Sequence, residues 1–89
     1  MGHTPFSYRI ENGKAVIDDA AAAQVRDLYK NYLGGLSLTN AAKEAGLNLL
    51  HSGAKRMMLN RHYLGDDFYP AIIDPASFDA VSVEHSKRS

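Results

Sequence analysis

Hydrophobic and polar positions divide the chain into a short alternating segment followed by stretches of helical period. Tyr8-Arg9-Ile10 and Ala15-Val16-Ile17 alternate as strands do, and Glu11-Asn12-Gly13 between them is a tight-turn signal. Residues 4–17 therefore predict a β-hairpin, with its strands inside 6–17. Asp18 or Asp19 offers a helix cap with a charge suited to a helix N-terminus. From Ala20 to Leu33 the residues are good helix formers, and Ala21, Val25, Leu28, Tyr29 and Tyr32 recur at steps of three and four along one face. Gly34-Gly35 closes this long helix, predicted over 18–34.

A second helix follows, capped by Ser37. Its apolar stripe is Leu38, Ala41, Ala42 and Ala45, small enough for another helix to approach closely, and Gly46 terminates it. After a connection over Leu47 to His51, Ser52 is placed as the cap of a third helix reaching about Asn60. Ala54, Met57 and Met58 form its inner face, and Ser52, Lys55, Arg56 and Leu59 its outer face. Beyond Gly65, residues 66–73 predict short extended segments around Pro70. Asp74-Pro75 is a cap followed by proline at the first helical position, opening a last helix over 74–85 with Phe78 and Val81 facing inward and a fraying end. The expected fold is mainly α with short β-strands: a helix-turn-helix core over 37–61, an N-terminal β-hairpin and a C-terminal helix, all in one domain over 1–89.

Composition narrows the choice of function. With 89 residues the chain has room for one small core. It has no cysteine, which excludes disulfides and thiolate metal sites and suits a reducing, cytoplasmic setting. No apolar run is long enough to cross a bilayer, and no secretory leader pattern is present. Met1-Gly2-His3 reads as an expression remnant. Ten basic and ten acidic residues cancel, which by itself argues mildly against a nucleic-acid binder. The distribution is uneven, however. His51 to Gly65 holds Lys55, Arg56 and Arg61, two histidines and no carboxylate, while acids gather at Asp18-Asp19, Asp66-Asp67, Asp74 and Asp79.

The second and third helices form a helix-turn-helix candidate whose connection is two or three residues longer than in the tight repressor type. The outer face of the third helix would then enter the major groove, with Lys55 and Arg56 meeting phosphates or guanine edges. Lys55 and Arg56 could be a solvated face. Arg61 could cap the helix end or pair with Asp66 or Asp67. Met57 and Met58 are core filler. His51, His62, Asp66 and Asp67 lack the spacing of a metal motif, and the five tyrosines are not spaced as a base-stacking platform.

The motifs, taken in order, resemble the recombinase domain of large serine recombinases. Thr4-Pro5-Phe6-Ser7-Tyr8-Arg9-Ile10-Glu11-Asn12-Gly13 is similar to the family's opening, and Val16-Ile17-Asp18 leads into its long helix. Tyr32-Leu33-Gly34-Gly35-Leu36-Ser37-Leu38 resembles its tyrosine–glycine–leucine–serine junction. Ser52 through Asn60, then Tyr63-Leu64-Gly65, resembles its recognition helix and ending. Pro70-Ala71-Ile72-Ile73-Asp74 with Phe78 resembles its close. The likeness covers residues 4 to about 82. It implies that Ser52, Gly53, Lys55, Arg56, Asn60 and Arg61 lie at DNA, with Arg9 close to the backbone.

The resemblance further implies double-stranded DNA binding as the site-recognition domain of a site-specific serine recombinase. The expected partners are a double-stranded recombination site and the rest of the recombinase chain. No cofactor, metal, membrane or small-molecule substrate is expected. The chain departs from the family in three ways. It contains neither the catalytic domain with its nucleophilic serine nor the cysteine-rich zinc domain, so it reads as a fragment or a short gene and not as an enzyme. Ser7 stands where the family usually has glycine. Leu59 stands where it often has a basic residue. The zero net charge and Leu59 leave open a protein-interaction or structural module with little DNA affinity. A small hydrolase ranks last, because no nucleophile–base–orienter set is visible.

Overall fold

The computed structural model describes residues 7–88; Met1–His3 and the Thr4-Pro5-Phe6 part of the opening motif lie outside it. The chain opens as a hairpin of β1 (Tyr8–Glu11) and β2 (Lys14–Ile17), antiparallel with Tyr8 opposite Ile17 and Glu11 opposite Lys14. Asn12 and Gly13 form its two-residue loop with φ of 53° and 77°, the positive values that match the twist of the strands.

Four helices follow: α1 (Asp19–Leu33), α2 (Leu38–Glu44), α3 (His51–Met58) and α4 (Pro75–Arg88). Asp18 caps α1 by accepting from the Ala21 N–H at 3.2 Å, and Ser37 caps α2 by accepting from the Asn40 N–H at 3.2 Å. Asp74 accepts from the Ser77 N–H at 3.1 Å and the Ser77 hydroxyl at 2.7 Å, opening α4. These contacts satisfy first-turn donors that would otherwise lack partners.

The core is the meeting of the four helices. α1 buries Ala22, Val25, Leu28, Tyr29 and Tyr32 against α2, α3 and α4; Ala21, expected on this stripe, is half-buried at its edge. Leu38, Ala41 and Ala42 line the inner side of α2, and Ala54 and Met58 that of α3. Phe78 and Val81 come from α4. Val25, Leu28, Tyr32, Met58, Tyr63 and Val81 are essentially fully buried, and each large apolar side chain stabilises the fold by about 1.5–3 kcal/mol.

Two expectations are corrected here. Ser52 does not cap α3: the cap position is Leu50, which makes no side-chain cap hydrogen bond, and the helix starts at His51. Residues 66–73 form no strand, and among the described residues the sole sheet is the hairpin. The chain instead makes a 3-10 turn over Arg61–Leu64 and a side-chain-closed loop. The Tyr63 carbonyl accepts from the N–H groups of Ile72 and Ile73, both at 2.9 Å. One Asp66 carboxylate oxygen collects the N–H groups of Phe68 and Tyr69 at 2.9 and 2.7 Å. Those peptide groups are satisfied without a neighbouring strand, so none is needed.

Candidate nucleic-acid interface

The α2–α3 pair owes its angle to the way α2 stops. Gly46 has φ of 82°; its N–H donates to the Lys43 carbonyl at 3.0 Å, and the Leu47 N–H donates to the Ala42 carbonyl at 2.8 Å. This is a Schellman ending, and Leu47 drops into the core behind it. A side chain at Gly46 would meet both an unfavourable φ and the Gln24 amide at 3.0 Å, so glycine suits the reversal.

From there α3 is pinned from within. The Tyr29 hydroxyl on α1 donates to the Met58 carbonyl at the end of α3. Burial pushes the Tyr29 phenol well above its ordinary value, so it stays a neutral donor. With Ala54 and Met58 buried, geometry sends Ser52, Lys55 and Arg56 outward, and all three are exposed. Neither Lys55 nor Arg56 has a carboxylate within ion-pair distance among the described residues.

Five of the ten acids are engaged off this face. Asp18 and Asp74 cap helices, Glu11 pairs with Arg9, and Glu84 pairs with Arg88 at 2.7 Å. Asp66 is drawn down to about 2, first by the Tyr69 N–H, then by the His62 ring 2.9 Å away and the Phe68 N–H. A neutral chain thus presents one helix face that is cationic.

The remaining predicted site residues scatter. Gly53 is half-buried on α3, and a Cβ there would touch only the Leu49 side chain at an ordinary 3.6 Å. Asn60 lies past the helix end, and its side-chain oxygen accepts from the His62 N–H at 3.0 Å. The exposed Arg61 places its guanidinium 5.6 Å from the centre of the Phe78 ring on α4. It makes no ion pair with Asp66 or Asp67; the neighbouring His62 takes Asp66. Arg9 sits on β1, spends its Nε on Glu11 at 3.0 Å and is not part of the helix pair. Leu59, expected on the outer face, is the C-cap of α3 and packs half-buried against the core.

The sequence pattern did not point to a second wall of basic side chains. His85 and Arg88, near the end of α4, line the same cleft as His51 and Lys55 of α3. Their separation of three residues on a helix was the available signal. Among the described residues no three His, Cys, Asp or Glu side chains gather as a metal site would require. No described helix is long and apolar enough to cross a membrane.

No protein-family model matches the chain, and no curated protein matches it. Among solved structures it is similar to a chain in the crystal structure of an LSR–DNA complex (LSR, large serine recombinase), with a TM-score of 0.78 and 21% identity. The match covers 92% of this chain and 30% of the other, so the chain spans under a third of that protein's length. At this level of identity the likeness is one of fold: hairpin, long helix, helix-turn-helix pair and closing helix share one arrangement with part of a DNA-complexed protein.

Proposed function

We propose that the domain binds double-stranded DNA, with α3 as its groove-facing helix, and serves as the site-recognition part of a site-specific serine recombinase whose chemistry resides outside these residues. The observation that carries this reading is the carboxylate-free, exposed outer face of α3, set on a fold shared with part of an LSR–DNA complex. Lys55 and Arg56 supply charge for phosphates or for guanine edges, and Ser52 and Gly53 bring the start of the helix close to the duplex. Asn60 and Arg61 flank this face, and Arg9, whose Nε is spent on Glu11, keeps its Nη donors for the backbone.

Because Lys55 and Arg56 are solvent-facing, replacing both with alanine leaves the core intact. The double variant is expected to keep its melting temperature within a few degrees and to lose at least tenfold in affinity for a duplex at low salt, about 1.4 kcal/mol or more. Fluorescence anisotropy alongside thermal melting checks this; unchanged affinity would remove α3 as the binding element.

One observation favours a second reading. The chain's zero net charge is unusual for a nucleic-acid binder and suits a protein-interaction module. Binding that does not weaken as salt rises would select that reading, since phosphate contacts release counterions and protein contacts largely do not.

A further inference from the structure

A cleft of about 340 Å³ opens where the start of α3, the junction before α2 and the end of α4 meet, and its basic lining comes from His51, Lys55, His85 and Arg88 with no Asp or Glu among the lining residues. Two features distinguish it from a solvated patch. The first is convergence: the basic groups come from two helices far apart in sequence, on a chain of zero net charge, and Ser37 and Tyr32 add polar side chains.

The second is anchoring. The Arg88 Nε donates to Glu84 at 2.7 Å, one Nη donates to the Leu36 carbonyl at 2.7 Å and the other to the Tyr32 carbonyl at 2.9 Å. The guanidinium also lies 4.0 Å from the centre of the Tyr32 ring. A guanidinium has five N–H donors, so one on each Nη is left over, on a group already fixed in place. A pre-positioned donor loses little conformational entropy on binding. Lys55, with no carboxylate partner among the described residues, and His51, the first residue of a helix with no side-chain cap, face the same space.

We propose that this cleft is a phosphate seat, which takes a backbone phosphate of the bound duplex and extends the DNA footprint from α3 onto the end of α4. The proposal rests on the DNA-binding reading above. A tetrahedral dianion or diester suits the set, because guanidinium, ammonium and imidazole N–H groups all donate and none accepts. The contact is independent of sequence and fixes the register of α3 on the duplex.

The test uses three variants of the chain and a generic 20-bp duplex. His85→Glu and His51→Glu each place a carboxylate at the cleft; at exposed His51 a glutamate also suits the first turn of a helix, so folding is not threatened. Val83→Glu puts the same charge on the opposite, exposed side of α4 as a control. Both cleft variants are expected to lose about tenfold in affinity at low salt, and their plots of log affinity against log salt to flatten by about one phosphate's share, roughly 0.9. The control is expected to stay within about twofold of the parent.

An equal loss in the control would reduce the effect to overall charge and overturn the seat. Parent-like binding by both cleft variants would also overturn it while leaving the α3 reading intact. If the parent chain itself fails to bind the duplex, the α3 reading falls, and titration of the isotope-labelled chain with inorganic phosphate then decides. Shifts at His51, His85 and Arg88 would keep an anion site but overturn the duplex as its source. No shifts would overturn the seat altogether.

Discussion

Ser7 holds a φ of 83°, a left-handed conformation that an L side chain adopts at a cost of roughly 1 kcal/mol. Its side chain is buried, and its hydroxyl has no hydrogen-bond partner among the described residues. The backbone is held there because the Ser7 carbonyl accepts from the Asp18 N–H at 2.8 Å, tying the start of the hairpin to the start of α1. The family resembled by the sequence usually has glycine here, and the dihedral supplies a physical reason. Ser7→Gly is therefore expected to raise stability by about 1 kcal/mol, whereas Ser7→Ala keeps the Cβ and the strain. Chemical denaturation of both variants checks the pair; equal effects would show that the buried hydroxyl, not the dihedral, dominates.

At the level of elements, the parts legible in the sequence are those fixed by neighbours in sequence. Asn12-Gly13 sets the hairpin, Asp18, Ser37 and Asp74 cap the helices expected of them, and Gly46 ends α2. The parts that were not legible depend on distant partners. The loop over 66–73 is closed by Asp66 and by the Tyr8 hydroxyl, which lies 2.6 Å from the Pro70 carbonyl and 2.9 Å from that of His62. No local pattern reports a contact spanning 62 residues. Burial, then the nearby Asp66 charge, pushes the Tyr8 phenol up to about 12, so the latch stays protonated.

For α3 the inner face was read correctly, but its start was not: Ser52 looked like a cap, yet the helix begins two residues earlier with Leu50 in the cap place. The outer face was readable only up to Arg56, because the helix stops at Met58 and Leu59 turns inward. Gly53 gives an element-scale prediction. A helix interior favours alanine over glycine by about 0.5–1 kcal/mol, and the space at Gly53 accepts a methyl group. Gly53→Ala should therefore melt higher, yet bind duplex more weakly if the backbone of α3 approaches DNA closely. A stabilised variant with unchanged affinity would place Gly53 away from the contact.

Over the whole molecule, neutrality conceals a division of labour. Asp18, Asp74 and Asp66 act at caps and a loop closure and Glu84 is tied to Arg88, leaving the α3 face free of carboxylate and the α3–α4 cleft lined by basic side chains. That division has a pH signature. Asp66, held at about 2, and Asp74, also held below its ordinary value by Ser77, are both depressed on folding. A depressed carboxylate adds stability above its unfolded value of 3.8 that is lost as pH falls through the folded one. Stability should therefore change little through these groups from about pH 7 to 5 and fall between about pH 4 and 2. Asp66→Asn should flatten that fall in thermal melts; an unaltered acid limb would show that Asp66 does not close the loop.

The most direct test of α3 as the DNA-facing element is an NMR titration of the isotope-labelled chain with a generic duplex at low salt, repeated at physiological salt. Shifts are expected to concentrate over Ser52–Arg56 and to extend to the end of α4, fading as salt rises. No shifts at low salt, or shifts confined to the exposed side of α1, would contradict it.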